Sequence, residues 1–292
     1  LNTKVVTVNT IYEEFSSGKQ DVVAIRNFVR YVYQNASSSE KRVKYLNMFG
    51  DTNYDYLNAE SIKNKVPSFY SLGRKSTVTD NFNDQSSFLT DDFFTLMDDD
   101  EGLIVGQDYA GLDIAVGRIP VSNLHEANVI VDKIVSYHSI ENTGRWKNNY
   151  IALADDVDAL GDKSLEITLN ETVDELVSRN PFFNVNKIYT DAYRQETSAG
   201  GSRYPKAKSD FLQAINAGAL MVNYLGHGGE YGLAQERLLE MNNIDELTNG
   251  NRLPMFAIIT CEFTRFDNTK EISGGERLFL KSNGGAISLL AT

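Results

Sequence analysis

Short apolar runs punctuate this chain, most of them bounded by polar or glycine-containing segments. They read as strands: KVVTV (4–8), VKYLNMFGD (43–51), LDIAVGR (112–118), NYIALAD (149–155), NKIYT (186–190), ALMVNYLG (219–226), MFAIITC (255–261) and GAISLL (285–290). Their apolarity is continuous more than alternating, which marks parallel strands covered on both faces. Between them the period becomes helical. In DVVAIRNFVRYVYQN, Val22, Ile25, Val29 and Val32 share one face, and Asp21 can cap the start. In SNLHEANVIVDKIVSYHS, Leu124, Ala127, Val131, Ile134 and Val135 form a stripe behind Ser122 as the cap. Residues 164–179 carry Leu165, Leu169, Val173 and Leu176, and DFLQAINAG (210–218) is a shorter helix closed by Gly218.

Strands alternating with helices predict an α/β protein with mostly parallel sheets flanked by helices. The polar stretch ENTGRWKNN (141–149) separates a long helix from a new strand. It divides the chain into an N-terminal α/β subdomain (1–143) and a second one (144–292). STVTDNFNDQSSFLTDD (76–92) reads as a long surface loop.

Composition narrows the function. With 292 residues, 41% hydrophobic and 23% charged, the chain can bury a sizeable core. A net charge of -12 argues against nucleic acid and anionic membrane surfaces as partners, since both call for Lys/Arg patches. No run approaches the roughly 18 apolar residues of a membrane span. LNTKVVTVNT has no basic region followed by an apolar block, so no signal peptide is visible, and the stop after a strand-like segment reads as a piece of something longer. The single cysteine excludes an internal disulfide and a cysteine-based zinc site. The glycine turns SNGGAIS and SAGGS match neither the phosphate-loop nor the dinucleotide pattern.

Two segments carry candidate chemistry. MVNYLGHGGEYG (221–232) is an apolar run ending in His227 and two glycines, and MFAIITCEF (255–263) is one ending in Cys261. Open parallel sheets bind ligands at the carboxyl ends of their strands. The intervening segment suits a right-handed crossover between neighbouring strands, which would bring His227 and Cys261 to one sheet edge. A thiol beside an imidazole makes a nucleophilic site. A lone cysteine at a strand end is more commonly a small buried hydrophobe. The glycines beside His227 allow close backbone approach to a ligand, as an oxyanion hole needs.

NYLGHGGE followed by ITCEF resembles the catalytic motifs of the gingipain family of cysteine peptidases. YEEFSSGKQDVVAIRNFVRYVY, LNMFGDTNYD, DDFFTLMDDDEG and LDIAVGRIPVSNLHEANVIVDKIVSYH follow the family's pattern in order. LTNGNRLPMFAIITCEFTRFDN and GGERLFLKSNGGAISLLAT look most like the PorU-like sortase branch of type IX secretion. The resemblance implies a caspase-like (gingipain) fold of two α/β subdomains, the second catalytic. It implies Cys261 as nucleophile, His227 as general acid/base, and the amides of Gly228 and Cys261 as oxyanion hole. Asp155, at the end of NYIALAD, matches an acidic residue that orients the histidine, with helix capping as the alternative. Glu166 is the nearest match to a specificity acid, and Glu262 and Arg265 follow the nucleophile into the substrate cleft.

The implied substrates are secreted proteins bearing a C-terminal targeting domain, cut at the outer-membrane surface of a Bacteroidetes-type bacterium among other secretion-system proteins. The acyl group would pass to water or to a lipopolysaccharide amine. No cofactor is required for that chemistry. The acids of MDDDEG (Asp98, Asp99, Asp100 and Glu101) are the expected place for a structural calcium ion. A non-catalytic scaffold of the secretion apparatus and a thiol sensor are the competing readings. His125 and His138 read as structural, and Arg118 as a surface residue or a partner for an acid across the subdomain boundary.

Overall fold

The computed structural model describes residues 2–54, 65–71, 87–102, 111–159, 161–268 and 270–291. The chain forms two compact units, Leu1–Ser122 and Asn123–Thr292.

In the first unit, helix α1 (Val8–Phe15) packs on α2 (Val22–Gln34). Strand β1 (Tyr45–Phe49) is followed by the two-residue strands β2 (Phe69–Tyr70) and β3 (Leu89–Thr90), which pair antiparallel. Strand β4 (Ala115–Ile119) then runs parallel to β1, from Tyr45 opposite Ala115 to Phe49 opposite Ile119. Ile11, Tyr12, Ala24, Ile25, Met48, Phe93 and Phe94 make the core, with Phe93 stacked on Phe69 at 4.1 Å. Residues 4–8 do not form the expected strand. Thr7 Oγ1 accepts the Thr10 amide at 3.3 Å and caps α1, while Val5 stays 89% exposed. The cap, with burial of Ile11 and Tyr12, outweighs the β preference of the valines. Of the loop expected at 76–92, residues 76–86 lie outside the described residues, and 87–92 contain β3.

Arg118, expected at the surface or paired with an acid across the subdomain boundary, pairs with Asp91 of its own unit. Its side chain is 5% exposed in the first unit. Nε and Nη2 donate to the two oxygens of Asp91 at 2.7 and 2.8 Å. Nη1 donates to the carbonyls of Gly50 and Val66, and Nη2 also to Ser68 Oγ, all at 2.7 Å. The planar fork fits a carboxylate bidentately, which lets an arginine be buried where a lysine would not serve.

The second unit opens with α3 (Leu124–Tyr137), so the helix before the 143/144 boundary packs with the chain that follows it. Its cap is Asn123, whose Oδ1 accepts the Glu126 amide at 3.0 Å; Ser122 was the residue expected there. The remaining elements are β5 (Asn149–Ala154), α4 (Lys163–Arg179), β6 (Asn184–Tyr189), the hairpin β7 (Glu196–Ser198) and β8 (Gly201–Arg203), and α5 (Pro205–Ala217). There follow β9 (Met221–Leu225), the short strands β10 (Gly228–Gly229), β11 (Gly232–Leu233) and β12 (Leu239–Glu240), α6 (Met241–Glu246), β13 (Met255–Ile259), α7 (Gly274–Leu280) and β14 (Ser288–Ala291). Lys133 of α3 is buried and donates to the carbonyls of Phe279 and Lys281 at 2.7 and 3.1 Å, at the end of α7. Burial pushes its ammonium down to about 7.

The central sheet is wholly parallel, in the order β14-β13-β9-β5-β6. Successive residues of β5 point to opposite faces. Ile151 and Leu153 join Phe211 and Ile215 of α5 on one side, and Tyr150, Ala152 and Ala154 join Leu169 and Val173 of α4 on the other. Both faces are therefore covered, which is why these strands lack alternation. The chain goes from β5 outward to β6, then returns past β5 to β9, β13 and β14. The direction reverses between β5 and β9, and the crevice at the carboxyl ends there is the ligand-binding position of such a sheet.

Candidate active site

Leu225 is the last residue of β9 and pairs with both Ala154, ending β5, and Ile259, ending β13. The ladder runs one step further, with the Asp155 amide donating to Leu225 O at 3.1 Å and the Gly226 amide to Ile259 O at 3.4 Å. His227 and Cys261 each stand two residues past that level, on strands about 4.8 Å apart. The expected juxtaposition at one edge is thus built by register. Both side chains face solvent: Cys261 is an exposed free thiol, and the His227 side chain is 47% exposed. Exposure removes the buried-hydrophobe reading of Cys261.

The backbone around each group is held from several sides. After His227 the chain folds into the small antiparallel sheet β10-β11-β12, with Gly228 opposite Leu233. Gly228 is needed for packing. A Cβ there would lie 2.7 Å from Thr260 Oγ1, so the histidine segment touches the residue just before Cys261. Cys261 leads into a tight turn in which the Phe263 amide donates to Cys261 O at 2.7 Å and Glu262 has φ 54. A non-glycine residue in that region costs about 1–3 kcal/mol and persists only when its surroundings impose it. Here Phe263 imposes it: its ring is 1% exposed, and a Cβ on Gly274 would come within 2.4 Å of it. The Gly275 amide also donates to Phe263 O at 2.7 Å. Helix α7 is fixed by a capping box between Ser273 and Glu276.

Glu230 ties the two segments together. Its carboxylate accepts Arg265 Nη1 at 2.7 Å and Asn268 Nδ2 at 3.1 Å, and its carbonyl accepts the Gly274 amide at 2.7 Å. Arg265 also donates to Asp267 at 2.6 Å, which raises its basicity further. Arg265, expected to shape a cleft, acts as the clasp between the histidine and cysteine segments.

Asp155 supports His227 through the main chain. Its Oδ2 accepts the His227 amide at 2.9 Å, and Tyr224 Oη lies 3.3 Å from the same oxygen and 2.6 Å from His227 O. A hydroxyl has one proton, and the shorter contact gives it to the His227 carbonyl. Asp155 is 3% exposed, and burial raises its carboxyl to about 6. Among the described residues, the acid paired with the imidazole is Asp162, just before α4, with Oδ1 3.5 Å from His227 Nε2. Its Oδ2 accepts the Ala159 amide at 2.7 Å. Sequence reasoning missed Asp162, since an aspartate ahead of an amphipathic helix reads as a cap.

The other expected residues fall as follows. Glu166 lies in the first turn of α4, where its charge acts on Tyr189 at the end of β6. Glu262 is exposed beside Cys261. The acids of MDDDEG do not converge. Glu101 accepts the Asp98 amide at 3.0 Å, Asp99 pairs with Arg30, and the Asp98, Asp99 and Asp100 side chains are exposed. Among the described residues, the acids that do converge are Asp155, Asp156 and Glu236.

An exposed thiol and an imidazole thus stand at adjoining strand ends of this caspase-like fold. The chain belongs to peptidase family C25, whose sequence profile matches residues 1–292. It is similar to Gingipain R2 of Porphyromonas gingivalis, 23% identical over 163 residues, covering 55% of this chain and 20% of that protein. Gingipain R1 of the same organism is also 23% identical over 163 residues, with 15% of that protein covered. Among solved structures, the Arg-specific cysteine proteinase gingipain R aligns with TM-score 0.64 and 18% identity, over 96% of this chain and 54% of that one. The complex of the RgpB pro- and mature domains of Porphyromonas gingivalis aligns with TM-score 0.66 and 17% identity, over 96% of this chain and 56% of that one. The chain therefore spans a fifth or less of these curated relatives and about half of the solved ones.

Proposed function

We propose that this chain is the catalytic region of a cysteine endopeptidase of sortase type, acting at the outer-membrane surface on secreted proteins. The observation that carries the reading is the pair of solvent-facing groups, Cys261 and His227, at adjoining strand ends of a rigidly supported edge. The thiolate of Cys261 attacks the carbonyl carbon before a C-terminal targeting domain. The C–N bond breaks as the His227 imidazolium gives its proton to the leaving amine, and a thioester remains. The amides of Gly228 and Cys261 receive the developing oxyanion. Water, or an amine on lipopolysaccharide, then attacks the thioester and releases the thiolate, with the imidazole taking the proton. Asp155 holds the His227 backbone and Asp162 approaches its ring. Exposed Glu262, beside the nucleophile, lines the cleft, and Glu166 stands further along the same edge. No helix among the described residues is long and apolar enough to cross a membrane.

The test is incubation with a secreted protein that carries its C-terminal domain, with excess hydroxylamine as amine acceptor, followed by intact mass. The expected result is loss of the domain with both acid and hydroxamate products, and neither product with Cys261→Ala. Acid alone would leave a peptidase without transfer. An intact substrate, under conditions where a peptidyl electrophile still labels Cys261, would sink the sortase reading.

A further inference from the structure

We propose that Asp155, Asp156 and Glu236 together form a site for one divalent cation of calcium's size, beneath the His227 segment. One ligand oxygen from each lies within 4.8 Å of the others, and the residues are only 3%, 5% and 6% exposed. The cluster has a property that ordinary surface acids lack. Asp155 Oδ1, Asp156 Oδ1 and Glu236 Oε2 are all buried with no hydrogen-bond partner among the described residues. The second oxygen of each aspartate is engaged: Asp155 Oδ2 by the His227 amide, and Asp156 Oδ2 by Tyr204 Oη at 2.7 Å and Gln195 Nε2 at 3.4 Å. Those donors fix both carboxylates and leave one oxygen of each unmatched.

Glu236 is presented at a cost. Its neighbours Gln235 and Arg237 are exposed, and Ala234 and Arg237 have φ 62 and 60. Two left-handed non-glycine residues are strain accepted to turn an acid inward between polar neighbours. Burying three carboxylates together is unfavourable unless protons or a cation compensate. Nearby arginines do not. Arg237 reaches Glu240 at 3.5 Å, and Arg203 donates to the carbonyls of Ser202 and Gly200. Among the described residues, the titratable groups acting on the cluster or on its partner Tyr204 include Asp158, Asp191, Tyr204, Tyr224 and His227, of which His227 alone can carry positive charge.

The donor set favours calcium. Three carboxylates from the protein suit calcium, whereas magnesium usually keeps several waters and takes one or two carboxylates. A depression of about 460 Å³, lined by Asp158, Gln195, Arg203, Glu236 and Arg237, gives access from solvent. A cation held by Asp155 would brace the carboxylate that fixes the His227 amide, so the site would set the stability of the histidine segment without entering the thiol chemistry.

Protons are the alternative occupant, and the sign of the pH dependence separates the two. Burial raises Asp155 to about 6 and Glu236 to about 7. Both are raised above their unfolded values. Their stabilising contribution is therefore full in acid and lost as pH rises through 6 to 7 when no cation is present. In EDTA the melting temperature should fall from pH 5 to pH 8. At pH 8, calcium in hundredfold excess over Kd should raise it by about 5–10 °C. Magnesium should do less, and calcium should do little at pH 5. Glu236→Gln and Asp156→Asn should each abolish the calcium shift, and Glu236→Gln should also flatten the pH dependence. Asp99→Asn, in the exposed acid turn, should leave the shift intact. Calorimetry should find one calcium ion lost with either cluster variant. The proposal is overturned if calcium shifts the cluster variants as much as the wild type. It is overturned equally if wild type shows no calcium shift at pH 8 while its melting temperature still falls with pH, which would assign the cluster to protons.

Discussion

Replacing Cys261 by alanine is expected to lower peptide turnover by about four orders of magnitude or more while leaving the fold intact. The first half follows from the chemistry. Thioester formation has no substitute nucleophile, because Cys261 is the only cysteine in the chain. Loss of a nucleophile typically leaves only the residual acceleration from substrate binding and the oxyanion hole. The second half follows from position. Cys261 is exposed, so the substitution opens no cavity, and surface changes of this kind stay within about 0.5 kcal/mol. Steady-state kinetics on a peptide library, with urea unfolding beside it, reads both. A Cys261→Ala variant that kept a tenth of the activity would place the nucleophile elsewhere.

Arg118→Ala has the largest expected effect on stability, about 3–5 kcal/mol, because it leaves Asp91 as an uncompensated buried charge. The loss also strips donors from the carbonyls of Gly50 and Val66 and from Ser68 Oγ. The damage should be confined to the first unit. Hydrogen exchange should show β1 and β4 losing protection, with β5, β9 and β13 unchanged. Arg118→Lys should rescue little, since a single ammonium cannot span the two Asp91 oxygens. Unaltered protection across β1 and β4 would mean that the Asp91–Arg118 network carries little of the unit's stability.

The five strands of the central sheet were legible because a parallel sheet buried on both faces writes itself as unbroken apolar runs, whereas the short strands β7, β8 and β10 to β12 were not. NYIALAD, NKIYT, ALMVNYLG, MFAIITC and GAISLL each contain or overlap the observed strand. The sheet edge was legible for the same reason, since His227 and Cys261 follow two of those runs at once. What the sequence hid was decided by tertiary partners. KVVTV has strand composition, but its last residues start a helix capped by Thr7. Arg118 looks like any strand-end arginine until Asp91 and two distant carbonyls close around it. Asp155 was placed near His227 by resemblance, but its contact is to the peptide amide, and the ring's acid neighbour is Asp162, which no spacing marks. Glu236 sits between Gln235 and Arg237, a triplet that reads as a solvated face. Its burial depends on two left-handed residues, and local composition does not announce these. The acids of MDDDEG stood out by density, yet the structure leaves three of their side chains in solvent.

The central claim is that His227 activates Cys261 for acyl chemistry. The direct measurement is intact-mass labelling by a peptidyl acyloxymethyl ketone, timed on wild type and His227→Ala, with Cys261→Ala as the control. The predicted result is a single adduct on wild type, none on Cys261→Ala, and labelling at least ~100-fold slower on His227→Ala. Equal rates with and without His227, or no adduct on a wild-type thiol that still reacts with a small alkylator, would contradict the account and favour a scaffold that has kept the peptidase fold.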